Sequence, residues 1–400
     1  MELIEMKICM IAYTFYETDN RVMRYAEEML KCGNHVDVIA LKKRGQVFYE
    51  NIDGVNLFRI QEREIDEKGR LSYLFRILRF LLKSLWFVTK KHLRIHYDLI
   101  HVHSVPDFEV FAALIPKLMG AKIILDIHDI VPEFYDSKFN SGPNSIMFKL
   151  LVLVEKLSIE FSDHVIVSNH IWAKRLKSRS VSSEKCTTII NYPDNSIFYK
   201  HKITKTNDRV VIIYPGTINW HQGLDIAINA FTLIKDKIPN CDFHIYGEGP
   251  LKDSLVDLVK RRGLEQRVFI NEFLPLKKIA SVMSNADIGI IPKRNDSFGG
   301  EAFSTKTLEF MSLGVPIIVS RTKIDNYYFD ESIVKFFEPE NEQDLAESMM
   351  LLIKNSEFRE TITSNALKFI NKNTWDVKKH IYLDLVDLLV GIDKQKHYSI

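Results

Sequence analysis

The chain has 400 residues, 46% of them hydrophobic and 26% charged, and its formal net charge is +2. This composition is typical of a globular protein, and the length suits two domains of about 200 residues each. A net charge so close to zero excludes a global electrostatic attraction to nucleic acid. We therefore predict no nucleic-acid partner, and any basic patch must be local.

The cysteines and the N-terminal residues indicate the cellular compartment. Cys9, Cys32, Cys186 and Cys241 are dispersed and form no C-x-x-C pair, which favours reduced thiols in a cytosolic protein. The first residues run directly into a predicted strand and lack the basic start and cleavage site of a secretory signal. No window of about 18 residues is apolar and free of charge, so we predict no membrane-spanning helix and a cytoplasmic protein.

Strands and helices alternate through the first half of the chain, which predicts a parallel sheet with helical crossovers. The polar loop 14–19 after the first strand lacks the glycines of a dinucleotide fingerprint. Residues 45–60 are expected to form a hairpin or a short strand. The predicted strands are 7–13, 35–41, 97–103, 121–128, 164–168 and 188–190, and the predicted helices are 20–32, 108–119 and 147–161.

Residues 71–90 form a predicted helix of unusual composition. No acid occurs between Lys68 and Tyr97, and helical geometry places Arg76, Arg79, Lys83 and Lys90 on one stripe, with Tyr73, Phe80 and Phe87 beside it. A row of leucines from Leu71 to Leu85 occupies the opposite face. Basic residues beside aromatic ones on an outward face are typical of a helix at an anionic membrane surface. The alternative is an amphipathic helix packed on the core, whose aromatics cover a neighbouring loop.

The strand 121–128 ends in polar residues that are candidates for a binding or catalytic role. His128, Asp129 and Glu133 follow this strand, and ligands of open α/β sheets bind at the carboxyl ends of strands. The alternative for His128 is an ordinary turn residue whose ring is satisfied by its neighbours.

The second half repeats the alternation after a polar stretch, 193–208, that we interpret as the interdomain linker. Turn sequences follow two of its strands, Pro215-Gly216-Thr217 and Gly247-Glu248-Gly249-Pro250. The predicted strands are 210–214, 241–246, 268–270, 288–291, 316–319 and 334–336, and the predicted helices are 224–234, 251–262, 277–285, 342–354 and 376–389.

The stretch 298–320 carries the strongest functional pattern. Gly299 and Gly300 precede Glu301, a short helix follows and ends at Gly314, and Glu309 stands eight residues after Glu301. A loop that enters a helix N-terminus presents unpaired N–H groups and a positive dipole end, which suits a phosphate. Lys306 in the first turn opposes that dipole, and a bound polyanion would relieve the conflict.

This order of parts resembles the E-x7-E signature of retaining glycosyltransferases with the GT-B fold, most closely glycosyltransferase family 4 of the bacterial surface-polysaccharide type. The resemblance covers most of the chain, in the same order. It extends to the strand 98–103, the His128-Asp129 pair, the 214–217 segment, Gly223 and the turn 245–250.

The resemblance implies two Rossmann-like, doubly wound parallel-sheet domains that face a cleft, with a C-terminal helix crossing back to the N-terminal domain. The implied domains are an acceptor-side domain 1–195, a nucleotide-sugar-binding domain 196–374 and the helix 375–400. The implied reaction is retaining transfer of a sugar, with UDP-linked donors favoured, to a saccharide or lipid-linked saccharide acceptor in polysaccharide biosynthesis. The implied enzyme uses no cofactor and no metal.

Site roles follow from the resemblance residue by residue. Glu301 contacts the donor sugar, His128 lies under that sugar from the other domain, and Glu309 holds the ribose hydroxyls. Many members carry an Arg after the equivalent of Gly216 and a Lys before that of Gly223, whereas this chain has Thr217 and Gln222. Lys306 is therefore our first candidate for the phosphate charge, followed by Arg294 and Lys293. The other predicted donor-binding residues are Gly216, Thr217, Gly247, Phe303, Ser304 and Thr305.

Several alternatives remain open on the sequence alone. His92 and His96 have i,i+4 spacing, and His101 and His103 share one face of a strand, which admits a metal hydrolase. No second acidic or Cys cluster completes a ligand set in the sequence. A phosphorylase, a nucleotide-sugar epimerase or a non-catalytic sugar-nucleotide-binding subunit would use the same fold.

Overall fold

A computed structural model describes residues 5–63, 70–139, 141–200 and 209–391, and the chain divides into two compact units. The first unit comprises Met1–Ile190 together with Ile381–Ile400, and the second comprises Asn191–His380. The domain boundaries predicted from the sequence were 195/196 and 374/375. Residues 201–208 of the predicted linker and residues 392–400 of the predicted last segment lie outside the described residues.

The first unit is built on an eight-stranded sheet with the order β3-β4-β2-β1-β5-β6-β7-β8. All neighbours are parallel except the hairpin pair β3–β4, so the hairpin prediction for 45–60 is confirmed. Strand order reverses between β1 and β5, which makes the carboxyl ends of these strands the expected ligand position. The strands are β1 (Lys7–Ala12), β2 (His35–Lys42), β3 (Tyr49–Ile52), β4 (Val55–Glu62), β5 (Leu99–His103), β6 (Lys122–Ile127), β7 (His164–Val167) and β8 (Cys186–Thr188).

The helices of the first unit differ from the predictions in three places. The predicted helix 108–119 is a 3-10 segment, Asp107–Ala113, that continues into a short α-helix, because Pro116 has no N–H and fits only the first turn. Val131–Phe139 and His170–Arg179 are helices that we did not predict. The strand predicted at 188–190 lies two residues earlier, as β8, and shares Thr188 with the prediction. The helices are α1 (Asn20–Lys31), α2 (Arg70–Ile95), α3 (Leu114–Leu118), α4 (Val131–Phe139), α5 (Ile146–Phe161) and α6 (His170–Arg179).

Helix α2 turns a different face to the core than we predicted. Phe80 is fully buried and Phe87 is half-buried, so these aromatics lie on the inner side rather than beside an outward cationic stripe. The leucines at 74, 78 and 82 are exposed instead, while the Leu71 side chain lies outside the described part of the chain. Phe80 packs edge-on against Tyr13 after β1, with ring centroids 5.1 Å apart, and Phe87 packs on Phe58 of β4 at 5.0 Å. Burial of these large rings stabilises this rotation of the helix.

The second unit has a six-stranded parallel sheet with the order β11-β10-β9-β12-β13-β14. This is the doubly wound order 3-2-1-4-5-6, whose reversal lies between β9 and β12. The two-domain, parallel-sheet α/β prediction is thus confirmed. The strands are β9 (Val210–Pro215), β10 (Cys241–Tyr246), β11 (Val268–Asn271), β12 (Ile288–Ile291), β13 (Ile317–Ser320) and β14 (Lys335–Phe337).

Helices cover this second sheet, and its apolar core includes Phe231, Phe243 and Leu345. Two of the helices, Lys323–Tyr328 and Ser356–Ile370, were not predicted. The helices are α7 (Leu224–Ile234), α8 (Lys252–Arg261), α9 (Leu276–Ser284), α10 (Thr305–Leu313), α11 (Lys323–Tyr328), α12 (Glu342–Lys354), α13 (Ser356–Ile370) and α14 (Trp375–Lys378).

The C-terminal helix α15 (His380–Val390) returns to the first unit. Its Tyr382 is fully buried there, with its ring 4.3 Å from that of Tyr25 and its hydroxyl 3.0 Å from Nδ1 of His101. The helical C-terminal end expected from the resemblance is therefore present and packs on the first unit.

Candidate active site

The loop that leads into α10 is organised by one carboxylate, Asp296. Its Oδ1 accepts hydrogen bonds from the backbone N–H groups of Phe298 (2.9 Å) and Gly299 (2.8 Å), and its Oδ2 lies 2.8 Å from Nδ1 of His221. Burial raises the pKa of Asp296, but these hydrogen bonds and the His221 charge outweigh burial and lower the pKa to about 2. The loop therefore has a defined shape where it reaches Glu301.

Glu301, the first predicted carboxylate, is buried and paired. Lys323 Nζ lies 2.7 Å from Glu301 Oε1, and the Lys323 side chain is itself 62% exposed. The sequence did not indicate this partner, because Lys323 lies beyond strand β13. This ion pair neutralises the charge of the buried carboxylate and holds it in one orientation.

The N-terminus of α10 presents donors without protein partners, as we predicted from the loop-helix junction. Within the described residues, the backbone N–H groups of Phe303, Ser304, Thr305 and Lys306 make no hydrogen bond. The hydroxyls of Ser304 and Thr307 are buried, and neither has a hydrogen-bond partner there. Because unpaired buried donors are costly, this N-terminus is suited to a ligand with several acceptor oxygens.

Lys306 extends from this helix to the loop after β9. A Cβ built on Gly216 would lie 2.2 Å from Cε of Lys306 and 2.8 Å from its Nζ. The ammonium also lies over the Tyr214 ring, 5.9 Å from its centroid. Burial lowers the pKa of Lys306, the Glu309 charge opposes this effect, and the Lys293 charge adds to it. The structure thus brings Lys306, Gly216 and the open amides of α10 together.

The two glycines that we predicted as donor-binding are required by close packing. A Cβ on Gly247 would lie 1.8 Å from the carbonyl oxygen of Gly216, so the loops after β9 and β10 cross without room for side chains. The Gly216 N–H donates to the Tyr246 carbonyl at 2.8 Å, and the Ile218 N–H donates to that of Glu248 at 2.8 Å. Gly216 also has φ +141°, which glycine adopts most readily. These loops form a rigid floor beneath Lys306.

Lys293 and Arg294, the secondary candidates for the phosphate charge, are engaged elsewhere. Lys293 Nζ donates to the Ala302 carbonyl at 2.8 Å and lies 2.9 Å from Asp325 Oδ2. Arg294 makes a two-pronged ion pair with Asp225, with contacts of 2.6 and 3.1 Å. Of the three cations, Lys306 is the one held over the Gly216 loop.

Arg294 makes two further contacts that fix its position. Its guanidinium lies 3.1 Å from Glu340 Oε1 and donates to the Trp220 carbonyl at 2.6 Å. Its carbon Cζ lies 4.8 Å from the centroid of the Trp220 ring. The donor-binding role predicted for Arg294 stays a prediction, and the observed contacts orient the loop between β9 and α7.

The other predicted donor-binding residues lie around the same floor. Glu309 stands one turn into α10, beyond Lys306. The Phe303 ring packs against Tyr328 of α11, with centroids 4.8 Å apart, which orients the backbone that carries the open amides. Thr217 is exposed after Gly216, and its carbonyl accepts the Tyr214 hydroxyl at 3.0 Å.

His128 belongs to the first unit and lines a cavity of about 250 Å³ there. The cavity lies at the carboxyl ends of β1, β5 and β6, and Asp19 and Asp129 also line it. His128 Nε2 lies 3.1 Å from Asp126 Oδ2. Burial lowers the pKa of His128, but the Asp126 charge and hydrogen bond outweigh burial, so its pKa is raised. The contact with Asp126 therefore favours the protonated form of an imidazole that faces a polar cavity.

Two histidines of the metal-hydrolase alternative, His101 and His103, lie close to the carboxylate of Asp126 in the fold. Ligand atoms of His101, His103 and Asp126 lie within 4.8 Å of one another, and all three residues are buried. Both Asp126 oxygens, however, accept hydrogen bonds of 2.7 Å from the buried guanidinium of Arg21. A cation already neutralises this carboxylate, so the donor set fits a structural ion pair better than a metal site.

Comparison with known proteins identifies the family. Residues 18–191 match the family model of the glycosyl transferase 4-like domain, and residues 196–369 match that of the glycosyl transferases group 1. The chain belongs to the group 1 glycosyltransferases, and it has the GT-B fold.

Known proteins from three organisms illustrate the relationship. The O-antigen biosynthesis glycosyltransferase WclY of Escherichia coli is 26% identical over 258 residues, which are 62% of this chain and 67% of the relative. The sucrose-phosphate synthase of Thermosynechococcus elongatus superposes with a TM-score of 0.81 at 16% identity, over 97% of this chain and 100% of the other. Anabaena HepE, solved with UDP-glucose, superposes with a TM-score of 0.70 at 15% identity, over 94% and 99%.

Sequence reasoning missed Asp296, Lys323 and Asp325, which shape the site from outside the predicted motif. Asp296 had a signal, since an aspartate three residues before paired glycines commonly caps a turn. Lys323 and Asp325 had none, because their partners Glu301 and Lys293 are distant along the chain.

Proposed function

We propose that this glycosyltransferase transfers a sugar from a UDP-linked donor with retention of anomeric configuration and without a metal ion. The observation that carries the proposal is the convergence of Lys306 and the open amides of α10 over the Gly216 loop. The donor complex of Anabaena HepE, a protein of the same fold, supports a UDP-sugar as the donor.

The second unit binds the donor in this proposal. The diphosphate lies on the Gly216–Gly247 floor, where the N–H groups of residues 303–306 and the Ser304 hydroxyl donate to its oxygens. Lys306 compensates the charge that grows on the leaving diphosphate, which is the largest catalytic contribution available to such a site. Because a fixed ammonium and several amides already supply positive charge, the reaction needs no divalent cation.

The two carboxylates of the E-x7-E pattern bind the rest of the donor. Glu309, one turn into α10, accepts hydrogen bonds from the vicinal hydroxyls of the ribose. Glu301, held by Lys323, contacts the donor sugar near the reacting carbon. Retention is supported by the resemblance of this pair to the signature of retaining enzymes.

The first unit binds the acceptor, a saccharide or lipid-linked saccharide in polysaccharide assembly. The O-antigen role of the Escherichia coli relative supports this class of acceptor. The cavity beside His128 is lined by carboxylates and hydroxyls that can hydrogen-bond sugar hydroxyls. The catalytic role of His128 remains a proposal.

Thermal unfolding with a panel of nucleoside diphosphates, in the presence of a chelator, tests the donor site. A ligand at about 100 times its Kd adds about 2.7 kcal/mol of stability, a readable shift. We expect UDP to raise the unfolding midpoint, Glu309→Ala to abolish that shift, and the exposed Glu360→Ala on α13 to preserve it. A UDP shift that requires added Mg²⁺, or no shift at all, would overturn the proposal.

Retention is tested by the slow hydrolysis of the donor in water. Proton NMR, recorded before the free sugar mutarotates, reports the anomer that is released first. We expect the anomer of the donor itself, and the opposite anomer would exclude a retaining mechanism.

A further inference from the structure

The outer side of the first unit carries an apolar surface that the fold does not explain. Helix α2 buries one face, which includes Ile77, Phe80 and Val88, and burial of this face is enough to hold the helix in the fold. Its opposite face nevertheless exposes Phe75 (68%), Leu82 (65%) and Trp86 (63%). The spacing of 75, 78, 82, 86 and 93 places these apolar side chains on one continuous stripe.

Helix α5 exposes large apolar side chains although it buries polar ones. It buries Glu155 and Ser158 together with Ile159, and it exposes Ile146, Leu150 and Leu157. Glu155 is held inside by Arg179, whose Nε lies 2.9 Å from Glu155 Oε1. A helix with exposed leucines on the side away from its buried residues is expected where that side meets an apolar partner.

These two helices belong to one layer. The segment between β5 and β6 packs against both α2 and α5, and it exposes Leu114, Leu118 and Met119 between them. Of the large apolar side chains that the described residues expose, more than half lie on these three neighbouring segments. A soluble monomer rarely exposes an apolar patch of this extent unless it binds something.

The charges on this surface identify the partner. The exposed charged side chains on the three segments are cations, such as Arg79, Lys90 and Arg94, with the exception of Glu160. Two copies of a cationic face repel each other, which argues against a dimer through this surface. Apolar side chains surrounded by cations complement a bilayer that contains anionic lipid.

A groove beside Trp86 adds a place for one lipid. This cavity of about 400 Å³ has an apolar lining that includes Phe48, Phe58 and Phe87, and Lys83, Lys90, Lys91 and Arg94 line it as well. Lys90 lies over the Trp86 ring, with Nζ 4.9 Å from its centroid. Hydrocarbon beside several ammonium groups matches an acyl chain attached to a phosphate headgroup.

We propose that α2, the 107–119 segment and α5 form a docking surface for an anionic lipid bilayer, with the α2 groove receiving one headgroup. None of the described helices is both long and apolar enough to cross a bilayer, so the surface lies on the membrane. Trp86, Leu82 and Leu150 enter the interface, while Arg79, Lys90 and Arg94 meet lipid phosphates. This docking is independent of the donor site in the second unit.

Co-sedimentation of the full chain with vesicles tests the proposal. We expect pelleting with phosphatidylcholine vesicles that contain phosphatidylglycerol, weaker pelleting at high salt, and little with phosphatidylcholine alone. Each cation near an anionic surface strengthens membrane binding roughly fivefold. The double variant Lys90→Ala/Arg94→Ala should therefore weaken binding to the anionic vesicles about 30-fold. Leu82→Glu/Trp86→Glu should abolish it.

Controls separate docking from folding and from dimerisation. Leu351→Glu and Lys354→Ala on α12 change exposed residues of the same types in the second unit, and each should leave pelleting unchanged. All variants should keep the wild-type unfolding midpoint and the same shift with UDP, because the changed side chains are exposed. Equal pelleting of wild type and Leu82→Glu/Trp86→Glu, or a dimer in sedimentation velocity that this variant dissociates, would overturn the proposal.

Discussion

Replacing Lys306 with alanine tests the charge on which the proposed reaction depends. Lys293 and Arg294 make ion pairs with Asp325 and Asp225, so neither can take over the position above Gly216 without breaking its own contacts. Removing one preorganised donor to a developing charge costs about 10²–10³ in turnover, or roughly 2.7–4 kcal/mol. We expect Lys306→Ala to lower kcat by about 100-fold or more.

The assay measures UDP released from a UDP-sugar, and calorimetry measures the Kd for UDP independently of turnover. Lys277→Ala, which removes an exposed lysine of α9, is the matched control and should behave like wild type. If Lys306→Ala retained turnover within about threefold of wild type, the assignment of the charge to Lys306 would be wrong.

Gly216→Ala gives a second test of the same geometry. The new methyl carbon would lie 2.2 Å from Cε of Lys306, so the lysine must move, and turnover should fall. In the Lys306→Ala background that atom is absent, and the closest remaining contact is the Tyr214 hydroxyl at 3.2 Å. The part of the loss that comes from this clash should therefore disappear in that background, while the strain of alanine at φ +141° remains, so the two losses should combine to less than their product. An equal effect of Gly216→Ala in both backgrounds would show that the glycine acts through its backbone alone.

Three further predictions concern the groups that hold each unit together. The pKa of Asp296 is lowered to about 2, so its ionised form stabilises the fold at a pH above the ordinary aspartate pKa, and this stabilisation is lost as the pH falls towards 2. Asp296→Asn should therefore lower the unfolding midpoint at pH 7, and the difference from wild type should shrink on acidification. Asp126→Ala removes the carboxylate that neutralises the buried Arg21 guanidinium, so we expect a loss of about 3–5 kcal/mol in chemical denaturation. A loss below about 1 kcal/mol would refute the ion-pair assignment. The pKa of His128 is raised, so its charged form stabilises the fold at a pH below the ordinary histidine pKa. The unfolding midpoint of wild type should exceed that of His128→Gln there, and the difference should vanish as the pH rises through the raised pKa. A difference in unfolding midpoint that is constant with pH would contradict this prediction.

Local pattern was sufficient for the architecture and for the centre of the candidate site. The alternation of strands and helices predicted two parallel-sheet units, and Gly314 ends α10 in the left-handed conformation expected of a helix stop. The glycines before Glu301 and the small polar residues after it predicted an open helix N-terminus, which the unpaired amides of residues 303–306 display. Each of these features depends on residues within one or two turns of each other, which is the range over which a sequence pattern is informative.

Tertiary packing decided what the local pattern left open. Helical periodicity gives α2 two possible inner faces, and burial of Phe80 and Phe87 against Tyr13 and Phe58 selects one, so the leucines face outward. Likewise, three cations were candidates for the phosphate, and only the fold pairs Lys293 and Arg294 with distant carboxylates while it places Lys306 above Gly216. Ion pairs and ring contacts between residues far apart in the chain determine these outcomes, and periodicity carries no information about such partners.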